Sequence, residues 1–388
     1  MYEILKLNEI SKVAGTVFND DYNLVKESAN PDGIVLRSFN MHEYDVPSSV
    51  LCVGRAGAGV NNIPLDKCAE KGIVVFNTPG ANANAVKELV LCGLFLAGRK
   101  IVDGINWAST LKGKGAEVAK LAEKGKSNFV GKEIMGKTLG VIGLGAIGVL
   151  VANAASALGM NVLGYDPYIS IDGAWHLNHK VEKATDINEI FKKSDFITLH
   201  VPLNDATRGE INADTIALMK RGAAVLNFAR GELVDSKAML DAVASGKISR
   251  YVTDFPSDEM LGVENVVVIP HLGASTPEAE DNCAVMVAHQ MRDFLENGNV
   301  TNSVNFPACK LPRIDGCFRV TVIHKNVKNV LNSVTGIVSG KGVNIANMLS
   351  QAKGDYAYLI LDLDEVLDDA TIKEIESLEP VIRVRTFA

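Results

Sequence analysis

Thr138–Tyr168, TLGVIGLGAIGVLVANAASALGMNVLGYDPY, decides how the chain folds. Leu139, Val141 and Ile142 form strand-like sequence that ends in Gly143-Leu144-Gly145-Ala146-Ile147-Gly148. Ile147, Leu150, Val151, Ala154, Ala155 and Leu158 then recur at helical spacing. A second strand, Asn161 to Tyr165, ends on Asp166. Strand, GxGxxG, helix, strand and acid in this order form the dinucleotide-binding fingerprint: the glycines let backbone approach a pyrophosphate at the helix N-terminus. A carboxylate about twenty residues past the glycines can accept hydrogen bonds from an adenosine ribose. Asp166 would repel a 2'-phosphate and no Arg or Lys immediately follows it, so NAD is favoured over NADP.

Composition sets the outer bounds. With 388 residues, two or three domains are expected, and 47% hydrophobic with 22% charged residues describes a globular protein with ample core. A formal net charge of -7 argues against nucleic acid or an anionic membrane as partner. The six cysteines (Cys52, Cys68, Cys92, Cys283, Cys309, Cys317) show no CxxC pairing, and the start MYEILKLNEI carries no basic-then-apolar leader. They are expected to be buried free thiols in a reducing, cytoplasmic setting. The longest apolar run, Leu89 to Ala97, falls well short of the ~20 residues of a membrane helix.

Upstream, alternating elements predict a small α/β unit with a parallel sheet: strands at Ile4–Leu7, Gly33–Arg37, Leu51–Val53 and Ile73–Phe76, with a helix at Tyr22–Glu27. The loop GRAGAGVNN (54–62) joins Arg55 to backbone freed by glycines and can hold a carboxylate or phosphate. NTPGANAN (77–84) leads into an apolar helix near Ala85–Arg99, read as a buried inter-domain helix. Between Asp103 and Gly136 the lysines, Lys126 among them, read as a solvated face from which one could reach a site.

Downstream, strands are expected at Phe196–Leu199, Ala224–Phe228, Tyr251–Asp254 and Val266–Ile269, with helices at Ile187–Lys192, Ala213–Met219 and Ser236–Ser245. Ligands of open α/β sheets lie across the strands' carboxyl ends, where this chain places His200-Val201-Pro202, Asn227 to Gly231, Thr253 to Pro256 and Pro270 to Ala274. Hydride exchange at a carbon bearing oxygen needs a proton-transfer group and a cation for the substrate's carboxylate. His271, whose residue type titrates near ~6.5, suits the first task, and Glu259 is the nearest carboxylate to fix its ring. Arg230 offers a bidentate fork for the second.

NFARGELVD around Arg230, TDFPSDE ending at Glu259 and PHLGAST around His271 resemble the signatures of the D-isomer-specific 2-hydroxyacid dehydrogenases. The resemblance runs from Val53 to about Phe306 and implies a catalytic set of Arg230, Glu259 and His271. It implies cofactor contacts at Thr78, Gly143, Gly145, Ala146, Ile147, Gly148, Asp166, His200, Val201, Pro202, Thr207, Phe228, Ala229, Asp254, His271 and Gly273, Asp254 orienting the nicotinamide. RAGAGVNN and PHLGASTPEAE resemble members with a phosphorylated substrate. By that analogy Arg55 and, as the weaker assignment since neighbouring lysines could serve, Lys126 hold the phosphate, Arg230 holds the carboxylate, and Gly57 is a further substrate-binding position. Another member activity, or an NAD-sensing scaffold without catalysis, are the alternatives.

The implied fold is α/β: a Rossmann-like doubly wound nucleotide domain (98–273) inserted into a flavodoxin-like substrate domain (1–97 and 274–306), with the active site between them. After a breaker-rich linker, 313–388 reads as strand, helix, two strands, helix, strand, the ferredoxin-like βαββαβ order. It resembles an ACT domain, implying an amino-acid effector such as L-serine at His324, Asn326 and Asn344. In serine-inhibited members a Pro-Gly turn opens the following helix. Lys328-Asn329 stands there, so displaced backbone N–H groups are expected. No metal site is expected, and a homo-oligomer is, from the apolar helix near 85–99 and the terminal module.

Overall fold

The computed structural model describes all residues 1–388, which divide into two compact units, Met1–Asn82 with Pro277–Ala388, and Ala83–Thr276. The first unit contains two sheets. β1 (Tyr2–Lys6), β2 (Tyr22–Val25), β3 (Gly33–Leu36), β4 (Cys52–Arg55) and β5 (Val74–Phe76) pair in parallel in the order β2-β1-β3-β4-β5, the flavodoxin-like arrangement. β3 is buried at every residue, as expected of a parallel strand covered on both faces. One face packs on the 21-residue helix Pro277–Asn297 through Val287, Met291 and Phe294.

β2 corrects the helix expected at Tyr22–Glu27. Tyr22 is buried, Asn23 exposed and Leu24 and Val25 half-buried, and Tyr22 pairs with Tyr2 of β1 with ring centroids 5.3 Å apart. An edge strand only four residues long carries too little periodicity to be separated from a helical turn.

The second unit is a seven-stranded parallel sheet of β6 (Thr138–Ile142), β7 (Asn161–Tyr165), β8 (Glu182–Lys183), β9 (Phe196–Leu199), β10 (Ala223–Asn227), β11 (Ile248–Thr253) and β12 (Val266–Val268). The order β12-β11-β10-β9-β6-β7-β8 is doubly wound, and it reverses between β6 and β9. That reversal is the place where open sheets of this kind bind ligands. The helix Ala83–Gly98 lies against this sheet, with Val86, Val90 and Leu94 in the same core as Val141, Leu226 and Val252. Most of the apolar surface expected to favour oligomerisation is therefore covered within its own unit; Phe95 remains 43% exposed.

In the terminal module β13 (Phe318–Lys325), β14 (Ile345–Lys353), β15 (Tyr356–Leu363) and β16 (Val381–Phe387) form an antiparallel sheet in the order β14-β15-β13-β16, with helices Val330–Gly340 and Asp369–Glu376. The module shares a core with the first unit's parallel sheet: Ile323, Tyr358 and Ile360 pack with Phe294, Phe306 and Cys309. Arg385 donates to the carbonyls of Phe294 and Leu295, Arg383 to those of Val50 and Lys71, and Tyr358 Oη to that of Gly298 at 2.7 Å. Cys92 is exposed and Cys317 half-buried, against the expectation that all six thiols are buried; all six are free. No helix is long and apolar enough to cross a membrane.

Candidate active site

The turn after β6 is built as the fingerprint requires. Gly143 takes a φ of 91°, and a Cβ there would meet the His200 carbonyl oxygen at 2.6 Å. A Cβ on Gly148 would overlap the Gly143 carbonyl. Gly145 differs, because nothing lies within 4 Å of its Cβ position; it leads the helix Ala146–Ala157 and faces open space. Two of the three glycines thus serve packing, while the middle one leaves the helix N-terminus open to an anion.

Asp166, at the end of β7, is aimed by backbone. Its Oδ2 accepts from Leu144 N and its Oδ1 from Tyr168 N, both at 2.8 Å. The carboxylate is held beside the glycine turn and keeps lone pairs for a ribose.

β9 delivers His200, whose N–H donates to Ile142 O at 2.7 Å and whose Nε2 meets Thr198 Oγ1 at 3.0 Å. The residue is partly exposed, but its ring is enclosed and Nδ1 has no partner. Burial pushes its pKa down to about 3, so the ring is neutral at physiological pH. Val201 packs against Gly143, and Thr207 Oγ1 donates to Pro202 O at 2.6 Å, closing the loop behind them.

β10 ends in Asn227, fully buried, which the sequence reading left without a role. Its Nδ2 donates to Arg230 O at 2.8 Å and its Oδ1 accepts from Ala229 N, so this amide shapes the turn that presents Arg230. Arg230 is exposed, its Nη1 donating to Ala229 O at 2.6 Å. Phe228 was expected at the cofactor; its ring is in the core beside Gly93, where a Cβ would approach it to 2.8 Å.

β11 and β12 meet at the acid/base candidates. Asp254 is 1% exposed; its carbonyl accepts from His271 N at 3.0 Å and its Oδ2 from Gly273 N at 3.3 Å. Oδ1 is buried without a partner. Burial raises the Asp254 pKa, opposed by the nearby charges of His271 and Arg230. The His271 ring is exposed and stands edge-on to Phe255, centroids 5.0 Å apart. Glu259, on the 3₁₀ turn Asp258–Met260, is exposed and makes no hydrogen bond or ion pair with His271, contrary to the expected pairing. The His271 charge acts on Asp254, where it favours the ionised carboxylate.

The second unit therefore gathers the glycine turn, Asp166, His200, Arg230, Asp254 and His271 along the carboxyl edge of one sheet. This set fits an NAD molecule: an open helix N-terminus for the pyrophosphate, an aimed carboxylate for the ribose and the unpartnered Asp254 Oδ1 for a carboxamide N–H. Lys126 lies on the 3₁₀ turn Lys126–Phe129, exposed, its Nζ 2.5 Å from Glu123 Oε2.

In the first unit Arg55 ends β4, its Nε donating to Arg37 O at 3.1 Å. A Cβ on Gly57 would reach Arg55 Nη1 at 2.5 Å, so glycine makes room for the guanidinium. Thr78 N donates to Gly57 O at 3.1 Å, and Thr78 Oγ1 is buried without a partner.

In the terminal module His324, Asn326 and Asn329 line a pocket of 430 Å³ with Asn332, Ser350 and Gln351. His324 is 3% exposed, and its Nε2 has no partner. Asn344 does not join them; its Nδ2 donates to Asp364 Oδ2 at 2.7 Å. Asn329 takes a φ of 71°, a conformation asparagine tolerates and glycine favours, so the turn expected to be displaced is made with asparagine.

Residues 104–273 match the family described as D-isomer specific 2-hydroxyacid dehydrogenase, NAD binding domain. The chain is 37% identical over 361 residues to D-3-phosphoglycerate dehydrogenase of Methanocaldococcus jannaschii, covering 90% of this chain and 66% of that one. It is 32% identical over 382 residues to D-3-phosphoglycerate dehydrogenase of Escherichia coli, covering 94% and 89%. Among solved structures, NAD+-bound 3-phosphoglycerate dehydrogenase of Entamoeba histolytica superposes with a TM-score of 0.61 at 26% identity, covering 78% of this chain and 98% of that one.

Proposed function

The chain belongs to the D-isomer specific 2-hydroxyacid dehydrogenases, and from that premise we propose that it interconverts 3-phospho-D-glycerate and 3-phosphohydroxypyruvate with NAD, the entry step of phosphorylated L-serine synthesis. The observation that carries this reading is the E. coli match, which runs through 94% of the chain. The chain spans about two thirds of the Methanocaldococcus relative, so what that enzyme does over its whole length is not carried over wholesale.

In this reading the exposed His271 imidazole takes the C2 hydroxyl proton during oxidation and returns it during reduction. NAD, when bound, supplies the hydride acceptor. Arg230 forks onto the substrate carboxylate, and the Asn227 amide keeps its turn in place. Asp254 orients the carboxamide through Oδ1, its burial and His271 acting on its charge in opposite senses. Phosphate recognition is assigned to Arg55 with Gly57; Lys126 is the weaker ligand, because Glu123 already engages its ammonium. Glu259 keeps its place in the catalytic set on the wording TDFPSDE alone.

The terminal module is proposed to be ACT-like and to take an amino acid at the His324 pocket, whose buried Nε2 lacks a partner. L-serine is the first ligand to try; an unchanged rate up to millimolar serine removes it. β14 is a nine-residue edge strand, which supports a homo-oligomer, and the free thiols support a cytoplasmic location. NADH oxidation with the phosphorylated keto acid against its unphosphorylated analogue tests the substrate assignment.

A further inference from the structure

The opposite, amino-terminal edge of the seven-stranded sheet carries a second concentration of charge. Lys132, Lys137, Lys220 and Arg221, all four exposed, line a partly open pocket of 130 Å³ that contains one carboxylate, Asp195. Ala97, Phe196, Ala223 and Ala224 supply an apolar lining, and the pocket sits where β9 and β10 begin.

Asp195 is already engaged. Its Oδ2 accepts from Thr138 N at 2.9 Å and its Oδ1 from Lys220 Nζ at 3.0 Å. Burial alone would raise its pKa, yet the Thr138 amide and Lys220, with Lys137 nearby, hold it below the usual carboxylate range. One carboxylate stands against four cations, so the pocket keeps a net positive charge.

The backbone that carries two of those cations is fixed, while their side chains are exposed. Lys132 N donates to Gly98 O at 2.7 Å, and Lys137 is fixed by Lys137 N to Ile134 O at 3.0 Å and Asn161 N to Lys137 O at 2.9 Å. Neither ammonium is hydrogen-bonded. Gly222, at φ 79°, leaves the Lys132 Nζ close by, 3.6 Å from its Cβ position. Arg221 Nη2 donates to Ser245 O at 3.2 Å, which steadies the guanidinium and leaves its other N–H groups for a ligand. The carbonyls of Ala217 and Met219, which would repel an anion at the end of the neighbouring helix, are taken by Lys247 at 3.0 and 2.5 Å.

In a chain with a net charge of -7, cations clustered around a small, partly open space favour a compact anion of more than one charge. Lysines supply point charges and arginine a fork, the combination suited to a tetrahedral oxyanion. We propose that the pocket formed by Lys132, Lys137, Lys220 and Arg221 binds a phosphate group, free or on a small phosphomonoester, at the sheet edge opposite the cofactor turn. Binding there ties the starts of β9 and β10 to the 132–137 segment and stabilises the unit by mass action.

The test uses the full chain carrying Arg55→Gln, which removes the proposed substrate-phosphate ligand. Equilibrium dialysis with radiolabelled inorganic phosphate at constant ionic strength is expected to show saturable binding of one ion per chain. Adding Lys132→Gln and Arg221→Gln is expected to weaken it at least ~10-fold. Adding Lys180→Gln and Lys183→Gln instead, an equal loss of charge on the same unit, leaves it unchanged. In an otherwise wild-type chain, Lys132→Gln with Arg221→Gln leaves NADH turnover intact. Displacement by glycerol 3-phosphate assigns the site to phosphomonoesters, and displacement by inorganic phosphate alone assigns it to the free ion. Absence of saturable binding, or equal losses in the two lysine-altered proteins, overturns the proposal.

Discussion

The carbonyl of buried Asp254 accepts the backbone N–H of exposed His271 at 3.0 Å, so the ends of β11 and β12 are locked together at the residue given the proton. The same aspartate's Oδ2 accepts from Gly273 N at 3.3 Å. His271 is thus positioned through its backbone and its ring contact with Phe255, rather than through a side-chain carboxylate.

His271→Ala is expected to lower turnover by ~10²–10⁴, the usual contribution of a positioned acid/base, with the NAD dissociation constant nearly unchanged. Steady-state rates and NADH fluorescence titration separate the two effects. Turnover that survives in the variant removes His271 from its role.

Asp254 holds its proton more tightly folded than unfolded, because burial raises its pKa. Its charge therefore costs stability as pH rises from the ordinary aspartate range through the folded value. Asp254→Asn is expected to raise the thermal midpoint at pH 7 to 8, narrow that gain at pH 4, and weaken NAD. A variant destabilised at every pH contradicts this.

For His200 the sign reverses. The folded ring resists protonation down to about 3, whereas the unfolded ring accepts a proton near 6.5. Its contribution is complete above pH 6.5 and is lost between those two values as pH falls, at up to ~1.4 kcal/mol per unit. Denaturant midpoints measured from pH 7.5 to 5 should drop less in His200→Gln than in the parent; parallel curves would assign the acid loss to other groups.

Much of this was legible because the informative residues are local. The glycine turn, Asp166 and the strand ends of the second unit are fixed by spacings of a few residues, and β9 and β15 begin and end where their apolar runs do. What escaped depends on distant partners. β2 is a strand because β1 lies beside it, Lys126 is taken by Glu123, and Glu259 makes no bond to His271. Asn227 gives no local signal, since an amide's role appears only when the backbone it holds is known.

The weld between the terminal module and the first unit is also non-local. Arg319 and Asp362, 0% and 1% exposed, form a two-pronged pair at 2.6 and 2.8 Å, and the same guanidinium donates to the carbonyls of Asn297, Leu311 and Pro312. Arg319→Met strands a buried carboxylate and is expected to cost ~3–5 kcal/mol, whereas adding Asp362→Leu recovers part of that loss. Urea unfolding of both variants checks it; a single variant as stable as the parent contradicts the pair's importance.

The most direct measurement is the rate of NADH oxidation with 3-phosphohydroxypyruvate and with hydroxypyruvate, in the parent chain and in Arg55→Gln. The phosphorylated substrate should give the higher kcat/KM by at least ~10-fold, the worth of one charge-assisted contact of 1.5–3 kcal/mol, and Arg55→Gln should erase most of that preference. Equal kcat/KM for the two substrates in the parent chain would contradict the assignment and return the chain to an unphosphorylated 2-hydroxy acid.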